Sequence, residues 1–182
     1  MQKKPADMAG WRLREAPEHW QLPAGAPAAD YQLIKQADIV LAMFMLHDRF
    51  TPAAVAAAYD FYEPKTQHIS SLSYNTHAIV AARLGRTQEA YDYFRQSAAL
   101  DLDDLKGVTA DGLHAANLGG CWQAVVFGFA GLDPRADRPV LDPHLPPSWE
   151  RLRFHLNLGG RCHTVTVAAD GGWTAACVDD SP

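Results

Sequence analysis

The sequence predicts a mainly helical chain that closes with a small antiparallel β cap, and three observations point there. Between residues 31 and 129 apolar side chains recur at helical spacing, punctuated by Thr, Pro and Gly at positions that start and stop helices. Past residue 150 the segments RLRFHLNL and HTVTV alternate with period two around Gly159 and Gly160. The length of 182 residues, with 48% hydrophobic and 20% charged residues, suits one full domain, or a partial domain with a small companion.

Residues 1–30 carry Pro5, Pro17, Pro23 and Pro27 without a sustained period and read as an extended lead-in. The first helix is expected over 31–47, where Ile34, Ala37, Leu41, Phe44 and Met45 share a stripe. Leu33, Val40 and Met43 make the remainder nearly as apolar, so burial on most sides is expected. A second helix opens at Thr51 with Pro52 in its first turn, carries Val55, Ala58, Tyr59 and Tyr62, and stops at Pro64. A third is expected over 73–84, with Gly85 as its cap. A fourth starts at Thr87 with Ala90, Tyr91, Phe94 and Ala98 inward. The fifth, over 113–129, contains Gly119 and Gly120, where backbone can approach a neighbour or ligand closely. A turn-rich segment then leads into RLRFHLNL, HTVTV and TAACV, the expected strands. The expected divisions are 1–30, 31–135 for the helical part, and 136–182 for a small β domain that reads as truncated.

Lys and Arg number 16 against 21 Asp and Glu, for a net charge of -5, and no basic block occurs, which argues against nucleic acid as a partner. The longest apolar run, residues 39–46, is far short of the roughly 20 residues that cross a bilayer, so no membrane span is expected. The amino terminus lacks the apolar stretch of a secretory signal, which makes the cytoplasm the expected compartment. Cys121, Cys162 and Cys177 are odd in number and widely spaced, as reduced thiols are, and neither a structural metal nor an organic cofactor is expected.

Six segments in series carry a more specific signal: KQAD at 35–38, YDFYEPKTQHISSLS at 59–73, DLDD at 101–104, DGLHAANLGGCW at 111–122, GFAGL at 128–132 and LPPSWERLRFHL at 145–156. In this order they resemble the carboxyl-terminal part of glycoside hydrolase family 65, over about residues 31–167. The family comprises phosphorylases of maltose, trehalose, kojibiose and nigerose, with a few hydrolases. The resemblance implies part of a six-hairpin α/α barrel, about five helices here, followed by a small antiparallel β-sandwich-like domain. It also implies inverting phosphorolysis of an α-linked glucose disaccharide. A glutamic acid protonates the glycosidic oxygen while inorganic phosphate, the co-substrate, attacks the opposite face of the anomeric carbon.

Site residues carry over by position. Lys35 and Gln36 match the pair that hydrogen-bonds glucose hydroxyls; read alone, they are a surface lysine and a helix-start glutamine. His114 matches the histidine that contacts phosphate, whereas a lone helical histidine is more often a satisfied core residue. Ser70 and Ser71 match a phosphate-facing loop, and read alone they are a helix cap. His68 in the same loop either binds or braces the turn, and Ile69 stands where many family members carry Asp or Gly. Cys121 reads as a small buried side chain, and Asp38, Asp103 and Asp111 as structural.

The general acid of the family lies well upstream of KQAD, and only 34 residues precede Lys35. None of Glu15, Glu18, Glu63, Glu89 or Glu150 matches it, and the upstream sugar-clamping Trp-Asp pair is not matched either. No catalytic residue is therefore assigned on this chain. Three expectations follow: a piece or subunit that needs a complementary chain or a second copy, a catalytically dead remnant, or a non-catalytic carbohydrate- or phosphate-binding module. Five helices of a twelve-helix barrel would leave the first helix with exposed apolar surface.

Overall fold

The computed structural model describes residues 33, 34 and 36–178. The lead-in 1–30, with Trp11, Trp20, Glu15 and Glu18, lies outside the described residues, as does Lys35. Five α-helices are followed by three strands: α1 Asp38–Met45, α2 Pro52–Tyr62, α3 Ser73–Arg83, α4 Thr87–Ala99, α5 Ala115–Gln123, β1 Arg151–Leu158, β2 Arg161–Ala168 and β3 Trp173–Cys177.

Local chemistry sets the helix ends. The Thr51 hydroxyl accepts from the Ala54 amide at 3.2 Å, with Pro52 at the first helical position of α2. Gly85, at φ +75°, ends α3 as expected. The expected helix over 31–47 is shorter. Ile34 instead bridges Thr66 in parallel fashion, and only Asp38–Met45 is α-helical. The expected continuous helix over 113–129 splits into α5 and a π-helical stretch, Ala124–Phe129.

The helices alternate in direction. Val55 and Pro52 of α2 sit beside Val80 and Arg83 near the end of α3, while Tyr59 meets His77 nearer its start. Ser97, near the end of α4, bonds Asn117 near the start of α5. Helices α1, α3 and α5 therefore point one way, and α2 and α4 run the opposite way. In α3, Ser73 and Asn75–Ala82 are all buried, because Ala78, Ala81 and Ala82 let neighbouring helices approach closely. The main core joins Val40, Phe44, Tyr59, Ile79, Val80 and Phe129.

Burial of α1 on most sides is corrected. Val40, Met43 and Phe44 are buried, but Ile39, Leu41, Met45 and Leu46 are exposed, Met45 at 58%. On α5, Leu118 and Trp122 are likewise exposed. These two helices flank α3, and no described element covers their outer sides.

The strands form one antiparallel sheet in the order β1-β2-β3, with Phe154 opposite Val165 and Leu152 opposite Val167. Gly159 and Gly160, both at positive φ, make the two-residue turn between β1 and β2. Val165, Val167 and the half-buried Leu152, Phe154, Leu156 and Ala175 pack on Val126, Ala130, Leu132 and Leu141. The sheet thus shares its core with the end of the fifth helix, and Trp149 seals the junction against Phe129, Phe94 and Tyr91.

Candidate functional site

The amino-terminal ends of α1, α3 and α5 gather at one end of the bundle, and a buried polar network holds two of them. Asn75 and Asn117 are each the third residue of their helix, and Asn75 Nδ2 donates to Asn117 Oδ1 at 3.2 Å. Ser97 Oγ donates to the same oxygen at 2.6 Å, and Asn117 Nδ2 returns a bond to the Ser97 carbonyl at 2.8 Å. Gly120 is what admits this network, since a Cβ there would meet Asn75 Nδ2 at 2.1 Å. Its neighbour Gly119 has nothing within 4 Å of the same position, and it is exposed. The close approach expected at the glycine pair is therefore to Asn75 at Gly120.

The third end is tied in by backbone. The Ile34 amide donates to the Lys65 carbonyl at 2.9 Å and the Gln67 amide to the Ile34 carbonyl at 2.8 Å. Gln36, exposed, follows two residues later and lies just ahead of Ala37, the N-cap of α1. This places it at the end of the bundle that holds Ser70 and Ser71, which immediately precede α3, and His114, which immediately precedes α5.

The loop 66–72 rests on an aromatic cluster. His68, at φ +51° and 6% exposed, stacks on Tyr74 with ring centroids 5.0 Å apart and lies near His77 at 4.6 Å and Tyr93 at 5.1 Å. Behind it, Tyr93 donates to Glu63 at 2.5 Å and Tyr59 to Glu89 at 2.8 Å. Those two glutamates therefore serve as buttresses for the cluster. His77 Nδ1 donates to the Ser73 carbonyl at 2.9 Å. Ser70 Oγ accepts from the Leu72 amide at 3.3 Å and the Ser70 carbonyl from the Ser73 amide at 3.2 Å, so this serine does shape the helix start. The amides of Ser70 and Ser71 donate to no acceptor among the described residues.

Burial, with His77 and Lys106 nearby, pushes His68 down to about 3. Burial lowers His77 as well. Because the folded state disfavours the cation, this stability is complete above the free imidazole value and is lost as pH falls below it. Between pH 8 and 5 the His68 contribution falls by roughly 2 kcal/mol. Urea unfolding at the two pH values should show this loss, and His68→Asn, which tolerates positive φ, should remove about that part of it. An unchanged pH dependence in the variant would contradict the assignment.

His114 is braced by Asp101. The two carboxylate oxygens of Asp101 take the His114 amide at 2.8 Å and its Nδ1–H at 2.6 Å. The histidine bond holds the Asp101 carboxyl below the usual carboxylate range. With Nδ1 committed, Nε2 is the ring nitrogen left to act on a ligand. The His114 side chain is 27% exposed and that of Asp101 only 7%. Sequence reasoning passed over Asp101, Asn75, Asn117 and Lys106. For the asparagines a signal existed: each is an amide set inside an otherwise apolar or small-residue helix, where a buried partner is required. Cys121 is half-buried, 3.2 Å from Ser97 Oγ, as a packing residue.

Comparison with known proteins gives a consistent result. The family model "Glycosyl hydrolase family 65 central catalytic domain" matches residues 1–123, and the "Glycosyl hydrolase family 65, C-terminal domain" matches residues 132–172. The first match begins at residue 1, so it takes in the lead-in that the sequence reading left outside the resemblance. The chain is 45% identical to an alpha,alpha-trehalose phosphorylase of Geobacillus stearothermophilus over 78% of its own length and 18% of the relative's. A kojibiose phosphorylase of Escherichia coli (strain K12) is 40% identical over 79% of this chain and 19% of that protein. A maltose phosphorylase of Bacillus subtilis (strain 168) is 40% identical over 74% and 18%. The solved structure of a putative kojibiose phosphorylase from human microbiome superposes with TM-score 0.70 at 34% identity, covering 75% of this chain and 19% of that one. The chain thus spans about a fifth of the length of the curated relatives it matches.

Proposed function

Because the chain belongs to glycosyl hydrolase family 65, we infer that it supplies the sugar- and phosphate-holding end of an inverting α-disaccharide phosphorylase site, without its general acid. The observation that carries this reading is the convergence of three helix amino termini, with the His114–Asp101 pair at one of them. Parallel helix dipoles place partial positive charge at that end, and the Ser70 and Ser71 amides and hydroxyls add donors. In this arrangement phosphate sits before α3 and α5. His114 turns Nε2 to the phosphate while Asp101 holds Nδ1–H. Lys35 and Gln36 hold glucose hydroxyls so that the anomeric carbon faces the phosphate. The glycosidic oxygen takes its proton from a glutamic acid outside this chain's matched segments, and the sugar leaves as the β-1-phosphate. Reduced thiols accord with a cytoplasmic setting.

The exposed apolar residues of α1 and α5 support a second component of the reading: further barrel helices, on a complementary chain or the rest of a longer one, cover them. The test is to incubate the chain with phosphate and trehalose, kojibiose or maltose. Each incubation is run alone and with the separately produced remainder of the Geobacillus stearothermophilus relative. Sugar 1-phosphate is expected only in the combined reaction. A combined complex that forms but releases none would overturn the reading in favour of a non-catalytic binding module.

In that combined reaction, Lys35→Ala and Gln36→Ala should each raise the disaccharide KM about tenfold, the loss of one directed hydrogen bond, and leave the phosphate KM nearly unchanged. Equal rises in both values would remove these residues from the sugar subsite.

A further inference from the structure

We propose that Lys106 is a positioning residue of the anion end, strapping the loop before α3 so that the Ser70 and Ser71 donors stay arranged for inorganic phosphate. The inference rests on the phosphate reading above and deepens it.

Lys106 lies on the long connection between α4 and α5, thirty-odd residues from the loop in sequence. Its Nζ nevertheless donates to the His68 carbonyl at 3.1 Å and the Ile69 carbonyl at 2.5 Å. The ammonium also sits 5.8 Å from the centroid of Tyr74, the ring on which His68 stacks. Partial burial lowers the lysine from its ordinary value.

Three consequences follow from the geometry. First, the bonds join two connections that no helix links directly, the one before α3 and the one before α5. Second, they secure the carbonyls of the two residues that precede Ser70. The Ile69 carbonyl shares one planar peptide with the Ser70 amide, so fixing it fixes that amide, while the Ser71 amide shares its plane with the Ser70 carbonyl, which the Ser73 amide holds; these two amides are the ones with no acceptor among the described residues. Third, carbonyl oxygens beside an anion site repel the anion, and an ammonium bonded to both offsets their partial charges. An apolar side chain of similar length could do none of these, and a neutral donor could not offset the carbonyl charges. Arginine, with several donors and a fixed charge, could do most of them.

The experiment measures the phosphate dissociation constant of the full chain calorimetrically, at fixed ionic strength and well below the thermal midpoint. Wild type, Lys106→Met and Lys106→Arg are compared, with amide exchange rates of residues 70–72 recorded without phosphate. Lys106→Met should weaken phosphate about tenfold and speed exchange at these amides, and Lys106→Arg should recover most of both. Where Lys106→Met fails to fold, Lys106→Gln, which keeps a donor and loses the charge, is read in the same way. Wild-type phosphate affinity in the neutral variant, or a lowered thermal midpoint as its sole change, would overturn the role of Lys106 and leave the phosphate reading intact. A wild-type chain that binds no phosphate would overturn the phosphate reading itself, and this inference with it.

Discussion

His114→Ala is expected to raise the phosphate KM of the assembled enzyme by about thirtyfold to a hundredfold, and to leave the disaccharide KM within about threefold. The asymmetry follows from where the side chain sits. Its amide and Nδ1 are both spent on Asp101, so Nε2 is the ring nitrogen left for the anion, and truncation deletes that hydrogen bond. Asp101→Asn makes a companion test. The neutral amide no longer gives Nδ1–H the charged acceptor that fixes the ring, so Nε2 is held less firmly toward the phosphate. The phosphate KM should therefore rise in that variant as well, with the histidine still present. Equal losses for phosphate and disaccharide in both variants would mean that the pair merely holds the helix end.

Asn117→Ala should destabilise the chain by about 3 kcal/mol, a large share of the stability of an ordinary domain. The side chain takes two hydrogen bonds and returns one, to three groups on two other helices, all inside the protein. Removing it leaves the Asn75 amide and the Ser97 hydroxyl and carbonyl without these partners, where water cannot readily replace them. Urea unfolding checks this directly. A loss below about 1 kcal/mol would show that water enters the site and that the network does not hold α3 and α5 in register.

The contrast between what could and could not be read beforehand is physical. Helices α2 and α4 were legible because their ends are written locally, by Thr51 with Pro52 and by Gly85 with Thr87. The hairpin of β1 and β2 was legible because Gly159 and Gly160 sit between two period-two runs. The first helix was overextended, since Ile34 is apolar and on stripe. Its backbone is taken instead by Lys65 and Gln67, a pairing between distant residues that no local pattern announces. Periodicity alone called for burial of α1 on most sides, whereas the exposed apolar surface expected of a partial barrel is what the helix shows. An apolar helix states that something covers it, without stating what, and Ile39, Leu41, Met45 and Leu46 are uncovered among the described elements. At the candidate site, Ser70, Ser71 and His114 came from a resemblance. That the starts of α3 and α5 lie together depends on Asn75, Asn117 and Gly120, whose pairing exists only in three dimensions.

The starts of α3 and α5 are proposed to form one phosphate site. The most direct measurement is a titration of the isotopically labelled chain with inorganic phosphate, followed by magnetic resonance at the Ser70 and Ser71 amides and the His114 ring nitrogens. These signals should move together along one saturating curve, with the β-sheet signals still. Shifts confined to other residues, or none at the Ser70, Ser71 and His114 positions at saturating phosphate, would contradict it.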